Sequence, residues 1–328
     1  MLEETRTSEN QALSFARQAV DVSATDTPHA VPAIVARYLT ESTSEATRRG
    51  YDADLRKFFE WGGSIPSAPE SVALYLAEHA DTLTAATLSR RLAAISKAHA
   101  VRGLPSPTHH PLVHQTLRGI RRAHRRPQRQ VAPLLESDIR AMVGTVCNDL
   151  RGLRDKALLL LGYATACRRS ELVSLEIDDV EQSSVGLVIT IRSSKTDPFA
   201  KGRKVAVARR PDDLCAVAAL KHWLSAASIH ASHVFRSVDC HGNVSGNGLS
   251  AQSVGLIVKA RAERAGFDPQ RFAGHSLRSG AITSAVLAGQ PAWKVKLVSG
   301  HRCDSVFSRY VRTSEVAQLR TQNGEQHG

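Results

Sequence analysis

Apolar residues recur at helical spacing through the first third of the chain. Between Thr43 and Trp61, Tyr51, Leu55, Phe58 and Phe59 form one stripe at i, i+4, i+7 and i+8, leaving Arg48, Arg49, Arg56 and Lys57 off it. Such a pattern predicts an amphipathic helix. Ser71–His79 reads as a second, short helix. Thr84–Val101 reads as a third, with Leu88, Leu92 and Ile95 inward and Arg90, Arg91 and Lys97 beside them. Pro111, suited to a first helical turn, opens a fourth that ends near Arg122. Residues 1–27 have little periodicity beyond a possible turn at Leu13–Ala16, and they read as a mobile arm.

Farther along, the period changes. Helical patterns at Glu136–Asp149 and Arg154–Ala166 give way to alternation in Val185–Ile191 and again in Lys204–Ala208, with the polar stretch Arg192–Arg203 between. This predicts a small antiparallel sheet. Helices return at Asp212–Ala227, Ser250–Ala265, Leu277–Ala288 and Ala292–Ser299. The fold class is therefore mainly α with a small antiparallel β-sheet in the C-terminal domain. Tyr51 and Tyr163 fall within apolar helical patterns and read as core.

A chain of 328 residues exceeds what one core comfortably fills, so two domains are expected. Arg121, Arg122, Arg125, Arg126 and Arg129 crowd together around Pro127 and ahead of Pro133, which marks the boundary. The organisation expected is an arm over 1–27, a helical domain over 28–124, an arginine-rich linker over 125–132 and a second domain over 133–328.

Charge adds a partner to this picture. Lys and Arg number 43 against 31 Asp and Glu, a formal charge of +12, and an excess of this size favours a polyanion, most commonly nucleic acid. Alone, the arginine run could equally be a solvated face. Between two domains it is well placed to follow a phosphate backbone, releasing counterions at each contact. Lys259, Arg261 and Arg264 are further candidates for DNA contact, with Arg90, Arg91 and Lys97.

The five cysteines stand apart without CxxC or zinc spacing, as expected of reduced cytosolic thiols. His109, His110 and His114 lack an accompanying carboxylate or thiol and read as surface or DNA-facing groups, so no metal or other cofactor is expected. Residues 1–30 lack the apolar core of a signal peptide, and no run approaches the ~20 apolar residues of a membrane span. The expected location is the bacterial cytosol or nucleoid, away from membranes.

The most specific signal lies near the C-terminus. Gly274-His275-Ser276-Leu277-Arg278-Ser279-Gly280 is followed by Ser299-Gly300-His301, and Tyr310 stands nine positions beyond that His. Upstream, Thr165-Ala166-Cys167-Arg168-Arg169-Ser170-Glu171-Leu172 precedes Ser194-Lys195-Thr196-Asp197 in the predicted sheet turn. In these segments the chain resembles the tyrosine recombinase, or lambda-integrase, family, and around Lys195 and His275 it is similar to Cre. The family box TGxRxSEL has Gly where this chain has Ala166. The resemblance covers about Pro133 to Val311, and the helical first domain is similar only in character to the family's core-binding domain.

That resemblance implies a two-domain C-shaped clamp around DNA and strand exchange through a 3′-phosphotyrosyl bond. It implies Tyr310 as nucleophile, Arg168 and Arg278 as a phosphate clamp, and His275 and His301 as donors and proton handlers. Lys195 would be the general acid, and Glu171 would orient the clamp or support His275. The chemistry needs such a set. A phosphodiester in transfer gains charge on its nonbridging oxygens, and a guanidinium fork pairs with two of them at once. A free phenol, with a pKa near ~10, is almost wholly protonated at neutral pH and needs a base or a cationic setting. Neither ATP nor metal is implied.

The implied partners are double-stranded DNA with an inverted-repeat core site, a homodimer on each site and a homotetramer in the synapse, exchanging strands through a Holliday junction. A tail helix over Thr313–Arg320 would dock on a neighbouring protomer or fold back on its own domain. The short segment before Pro28 leaves no room for a lambda-type arm-binding domain. Relaxation of the type IB topoisomerase kind, a catalytically silent DNA-binding regulator and an RNA-binding structural protein remain the alternatives. Each residue also has a plainer reading, Arg168 with Glu171 as a helix-surface ion pair and His301 as a helix cap. The ordered conjunction of motifs favours the catalytic one.

Overall fold

Four helices build the first unit: α1 (Glu45–Glu60), α2 (Pro69–Glu78), α3 (Ala85–Val101) and α4 (Pro111–Ala123). The structure is a computed structural model, and it describes residues 37–38, 43–124, 131–192, 202–301, 303, 307, 308 and 310. Lys195, Arg125, Arg126, Arg129, most of the expected linker, the arm and the tail helix over Thr313–Arg320 lie outside the described residues.

Ser44 and Thr84 cap α1 and α3, each accepting a backbone N–H three residues on. Phe58, Tyr75, Leu76, Leu88, Ile95, Val113, Leu117 and Ile120 form the core of this unit. The stripe expected on α1 differs in one respect: Phe59 is 43% exposed, while Asp54 points inward. Asp54 can be buried because Arg90 of α3 binds it in bidentate fashion, at 2.7 and 2.9 Å, so the carboxylate is paired where it loses water. Tyr51 is only half-buried.

The second unit, divided from the first between Gln128 and Arg129, holds everything else. Its order is α5 (Glu136–Gly144), α6 (Leu150–Thr165), α7 (Arg169–Val173), β1 (Val180–Ser183), β2 (Gly186–Ile191), β3 (Arg203–Ala208) and α8 (Ala216–Ala226). Then follow β4 (Arg236–Val238), β5 (Val244–Gly248), α9 (Ala251–Arg264), α10 (Ser276–Leu287) and α11 (Ala292–Ser299).

Leu158, Leu159, Leu160 and Leu161 are all buried, so α6 is apolar around its circumference and serves as the central helix. It packs against α8 on one side and α10 on another. β1, β2 and β3 form an antiparallel sheet in which Ile189 of β2 pairs with Val205 of β3, both inward. β1 and the β4–β5 hairpin were not anticipated: Val180–Ser183 is too polar for an alternation signal, and Val244–Gly248 carries two glycines. Helix 136–149 stops earlier than expected, because Asp149 caps α6 by accepting the Gly152 N–H and the chain turns before it. Among the described residues no helix is long and apolar enough to cross a membrane.

One close approach fixes α10. Leu134 N–H donates to Ser276 O, and a Cβ added at Gly280 would stand 1.7 Å from the Leu134 carbonyl oxygen. Backbone cannot yield as a flexible side chain can. Gly280→Ala is therefore expected to lower stability by about 3 kcal/mol, read as a drop in the thermal midpoint, and an unchanged midpoint would contradict this packing.

Candidate active site

Three helix ends converge on one cluster. α6 ends at Ala166, which adopts a left-handed conformation (φ 49°, ψ 31°) and turns the chain so that Arg168 opens α7. Arginine is a poor N-cap, and the start of α7 is held instead by Glu171, whose carboxylate accepts the Arg168 backbone N–H at 2.9 Å. The same carboxylate accepts Arg168 Nη1 at 2.6 Å and Arg203 Nη2 at 2.7 Å. At 2% exposure Glu171 is no surface partner. Burial by itself would raise its carboxyl, but the hydrogen bonds from Arg203 and Arg168 outweigh that and hold it at about 2.

α10 supplies the second pair. His275 stands at its N-cap position and Arg278 three residues on, one turn along the same face. Arg278 is 1% exposed; its Nη1 donates to the Ala166 carbonyl at 2.7 Å, and Nη2 lies 3.3 Å from both ring nitrogens of His301. Burial, followed by the charge of Arg168, brings Arg278 down to about 10, which leaves it cationic at neutral pH. The N-terminus of α10 adds the positive end of its helix dipole to this field.

α11 ends at Gly300, left-handed at φ 67°, and both Gly300 N–H and His301 N–H return to the Lys296 carbonyl. This C-terminal turn aims His301 back at Arg278. Ser299 Oγ lies 2.7 Å from Val295 O and 2.7 Å from His301 Nδ1. A carbonyl can only accept, so the hydroxyl donates to Val295 and the imidazole Nδ1–H donates to the hydroxyl. His301 Nε2 then holds the ring's lone pair, with Arg278 Nη2 equidistant from the two nitrogens.

Tyr310 is half-buried beside a small apolar cluster of Ala166, Ile282, Val295 and Phe307. Its hydroxyl lies 3.1 Å from His275 Nε2, and its ring centre is 5.5 Å from that of His301. Burial, then Arg278, Arg169 and Arg168, lower the pKa of His275. The same kind of setting, burial followed by Arg278 and Arg168, brings His301 to about 4. Both imidazoles are neutral at neutral pH, so His275 has a lone pair with which to accept a proton from the phenol.

A stability effect follows from His301. In the unfolded chain the ring takes its proton near 6.5, in the folded protein only near 4, so the unfolded state binds more protons between those values. Stability is expected to fall as pH drops through that window. The paired Glu171 adds its own loss lower down, between 4.5 and about 2. Thermal midpoints measured against pH should show the upper slope in the wild type and a flatter one in His301→Gln.

With this geometry in place, residues 133–317 match the Phage integrase family. The chain belongs to that family of tyrosine recombinases. It is 35% identical over 291 residues to an integrase/recombinase xerD homolog of Selenomonas ruminantium, covering 85% of each chain. A tyrosine recombinase of Synechococcus elongatus is 31% identical over 294 residues, 83% of this chain and 86% of that one. In fold the recombinase is similar to a lambda integrase dimer bound to a core site, with a TM-score of 0.58 at 15% identity, over 84% of this chain and 74% of that one. These relatives do not show a special nearness to Cre.

Of the site residues expected from sequence, the recombinase brings together Arg168, Glu171, His275, Arg278, His301 and Tyr310; Lys195 lies outside the described residues. Arg203, Ser299 and Phe307 join them without having been anticipated. Phe307 carries no motif signal, and Ser299 shows in sequence only as the residue before the glycine–histidine step. Arg203 does carry one: with Val205 and Val207 it occupies alternate positions of β3, and β3 buries that face. An arginine on the inward side of an alternating strand needs a buried acceptor.

Two candidates for DNA contact are corrected. Arg261, 4% exposed, binds Asp155 of α6 through Nε at 2.8 Å and Nη2 at 2.6 Å, and Arg154 takes the other oxygen. It is an internal ion pair, and Asp155 offsets the water that the buried guanidinium has lost. Arg91 turns inward as well, donating to the Tyr75 hydroxyl near buried Asp54. Lys259, Arg264 and Arg122 are exposed, as are Arg90 and Arg121 despite their bonds to Asp54 and Ser89, and Lys97 is half-buried. On α4, Val113, Leu117 and Ile120 are buried, so His114, Arg118, Arg121 and Arg122 share the outer, basic side.

Proposed function

We propose that this recombinase cuts and rejoins double-stranded DNA at inverted-repeat core sites, with Tyr310 as the nucleophile and without ATP or metal. The observation that carries the reading is the Tyr310 hydroxyl, 3.1 Å from a neutral His275 and beside the Arg278–His301 pair. His275 Nε2 accepts the phenolic proton as the tyrosine oxygen attacks phosphorus. The bond from phosphorus to the 5′ oxygen breaks, and that oxygen leaves with a proton for which Lys195 is the proposed donor. One ester replaces another, so the phosphodiester energy is kept and the reverse attack by a 5′-hydroxyl reseals the strand.

Arg168 and Arg278 neutralise the charge that builds on the nonbridging oxygens, a role in which preorganised guanidinium groups carry much of the catalysis. Glu171 orients Arg168. His301, in contact with Arg278 Nη2, holds that guanidinium until the phosphate arrives.

For the assembly, the proposal has residues 28–124 as the core-binding domain and the linker over 125–132 following the DNA backbone. The exposed basic side of α4 supports a DNA-facing first domain. Two protomers on each site, a tetramer in the synapse and exchange through a Holliday junction complete the scheme, in the bacterial cytosol or nucleoid. Trp293 and Leu297, one turn apart and exposed on α11, offer an apolar surface for a neighbouring protomer.

The test is a suicide substrate, nicked so that the cleaved 5′ fragment diffuses away. A protein–DNA adduct on denaturing gels, linked through Tyr310, is expected. Site-specific binding without any adduct would leave a silent DNA-binding regulator, and supercoil relaxation without exchange between two sites would favour a topoisomerase.

A further inference from the structure

Arg203 joins two parts of the site that come from distant stretches of chain. Its Nη2 donates to Glu171 at 2.7 Å, and its Nε donates to the carbonyl of Val298 in the last turn of α11 at 3.0 Å. The side chain is 12% exposed and lies against Gly300, where an added Cβ would come within 2.9 Å of Nη1. One planar group thus reaches the carboxylate that holds Arg168 and the helix end that aims His301.

We infer that Arg203 is a positioning residue for strand cleavage: its guanidinium fixes the distance between the Arg168 half of the phosphate clamp and the His301–Arg278 half. This rests on the cleavage reading proposed above.

The bridge needs a fork. Val298 O lies in the last turn of α11, beyond the reach of the helix's own N–H groups, and Glu171 Oε2 is the oxygen that also takes the Arg168 backbone N–H. An arginine can address two acceptors at fixed separation with two N–H groups of one rigid plane, whereas a lysine ammonium can hold only one of them in good geometry. Without the bridge, Glu171 keeps Arg168 and stays paired, so the fold persists. The register of α11 against α7 is then free to drift. A shift of about 1 Å in a clamp built for one transition state costs on the order of 100-fold in rate.

The experiment compares wild type, Arg203→Lys and Arg203→Ala for single-turnover adduct formation on the suicide substrate, alongside binding to an intact site and thermal unfolding. Failure of the wild type to form the adduct overturns the cleavage reading itself. Given a trapping wild type, the expected result is a cleavage rate reduced roughly 10- to 100-fold in both variants, with site affinity changed by less than about threefold.

A methylphosphonate at the scissile position supplies a readout that a merely structural role would not move. It removes the nonbridging charge that the clamp neutralises, so the defect of both variants should shrink on it relative to wild type. A folded Arg203→Lys that cleaves at the wild-type rate overturns the inference, as does an equal defect on the neutral and the charged substrate. Unfolding of both variants would assign Arg203 to the fold and overturn it too.

Discussion

Tyr310→Phe is expected to bind its site as the wild type does and to form no covalent adduct at all. The hydroxyl is the only atom removed, and it is the atom that faces His275 Nε2 at 3.1 Å. The ring would keep its contacts with Phe307 and its neighbours, because those involve carbon. Folding and DNA affinity therefore should not move, whereas a step that needs the phenolic oxygen loses its reactant rather than a fraction of its rate. Gel-shift titration and adduct formation on the suicide substrate measure the two quantities side by side. Loss of binding in this variant would mean that Tyr310 supports packing, and residual adduct would mean that another nucleophile acts.

Arg278→Lys should lower the rate of adduct formation by about a thousandfold, the scale on which a transition-state arginine acts in phosphoryl transfer. The positive charge is formally kept, so the loss tests geometry and hydration. Arg278 already divides its fork between the Ala166 carbonyl and His301 and still faces the site. A lysine ammonium cannot reach both. Buried beside Arg168 and Arg203, it would also be driven toward its neutral form, whereas the arginine at about 10 remains charged. A second consequence is an orphaned Ala166 carbonyl, which should cost about 1–3 kcal/mol in unfolding free energy. Adduct formation within about tenfold of wild type would reduce Arg278 to a structural role.

Ala166 shows how a departure in the motif can be accommodated. The position takes φ 49°, a conformation that glycine adopts freely and alanine only with strain of about 1 kcal/mol. The methyl group is not wasted, because it packs with Ile282, Val295 and Phe307 beside Tyr310. The carbonyl meanwhile receives Arg278. Strain, packing and a hydrogen bond meet at one residue, and sequence shows only the substitution.

Much of the helical layout was legible because it is a local matter. Periodicity placed α3, α4, α9 and α11 to within a residue or two, and Ser44, Thr84 and Ser250 are side chains that cap by bonding the next turn. Errors gathered where neighbours overrule the pattern. Phe59 lies on the apolar stripe of α1 yet faces outward, since two arginines from α3 make burial of Asp54 the better use of the inward position. Arg91 and Arg261 looked like DNA contacts because charge in sequence carries no direction. Each is turned inward by an acceptor on another helix, Asp54 and Tyr75 for Arg91, Asp155 for Arg261.

By itself, the sequence determined the identities and order of the groups proposed to react: an arginine and glutamate one turn apart, a histidine and arginine one turn apart, and a tyrosine nine residues past a glycine–histidine step. Spacing within a helix is set by 3.6 residues per turn, so each pair could be read without its neighbours. What tertiary structure decided is how the pairs combine. Arg203 bridges Glu171 to the end of α11, Ser299 sets the tautomer of His301, and burial, followed by the charge of neighbouring arginines, leaves both histidines neutral. The bridge and the neutral imidazoles depend on segments far apart in sequence, 95 residues in the case of Arg203 and Val298, and on the water excluded between them, and neither is written in any local stretch of chain.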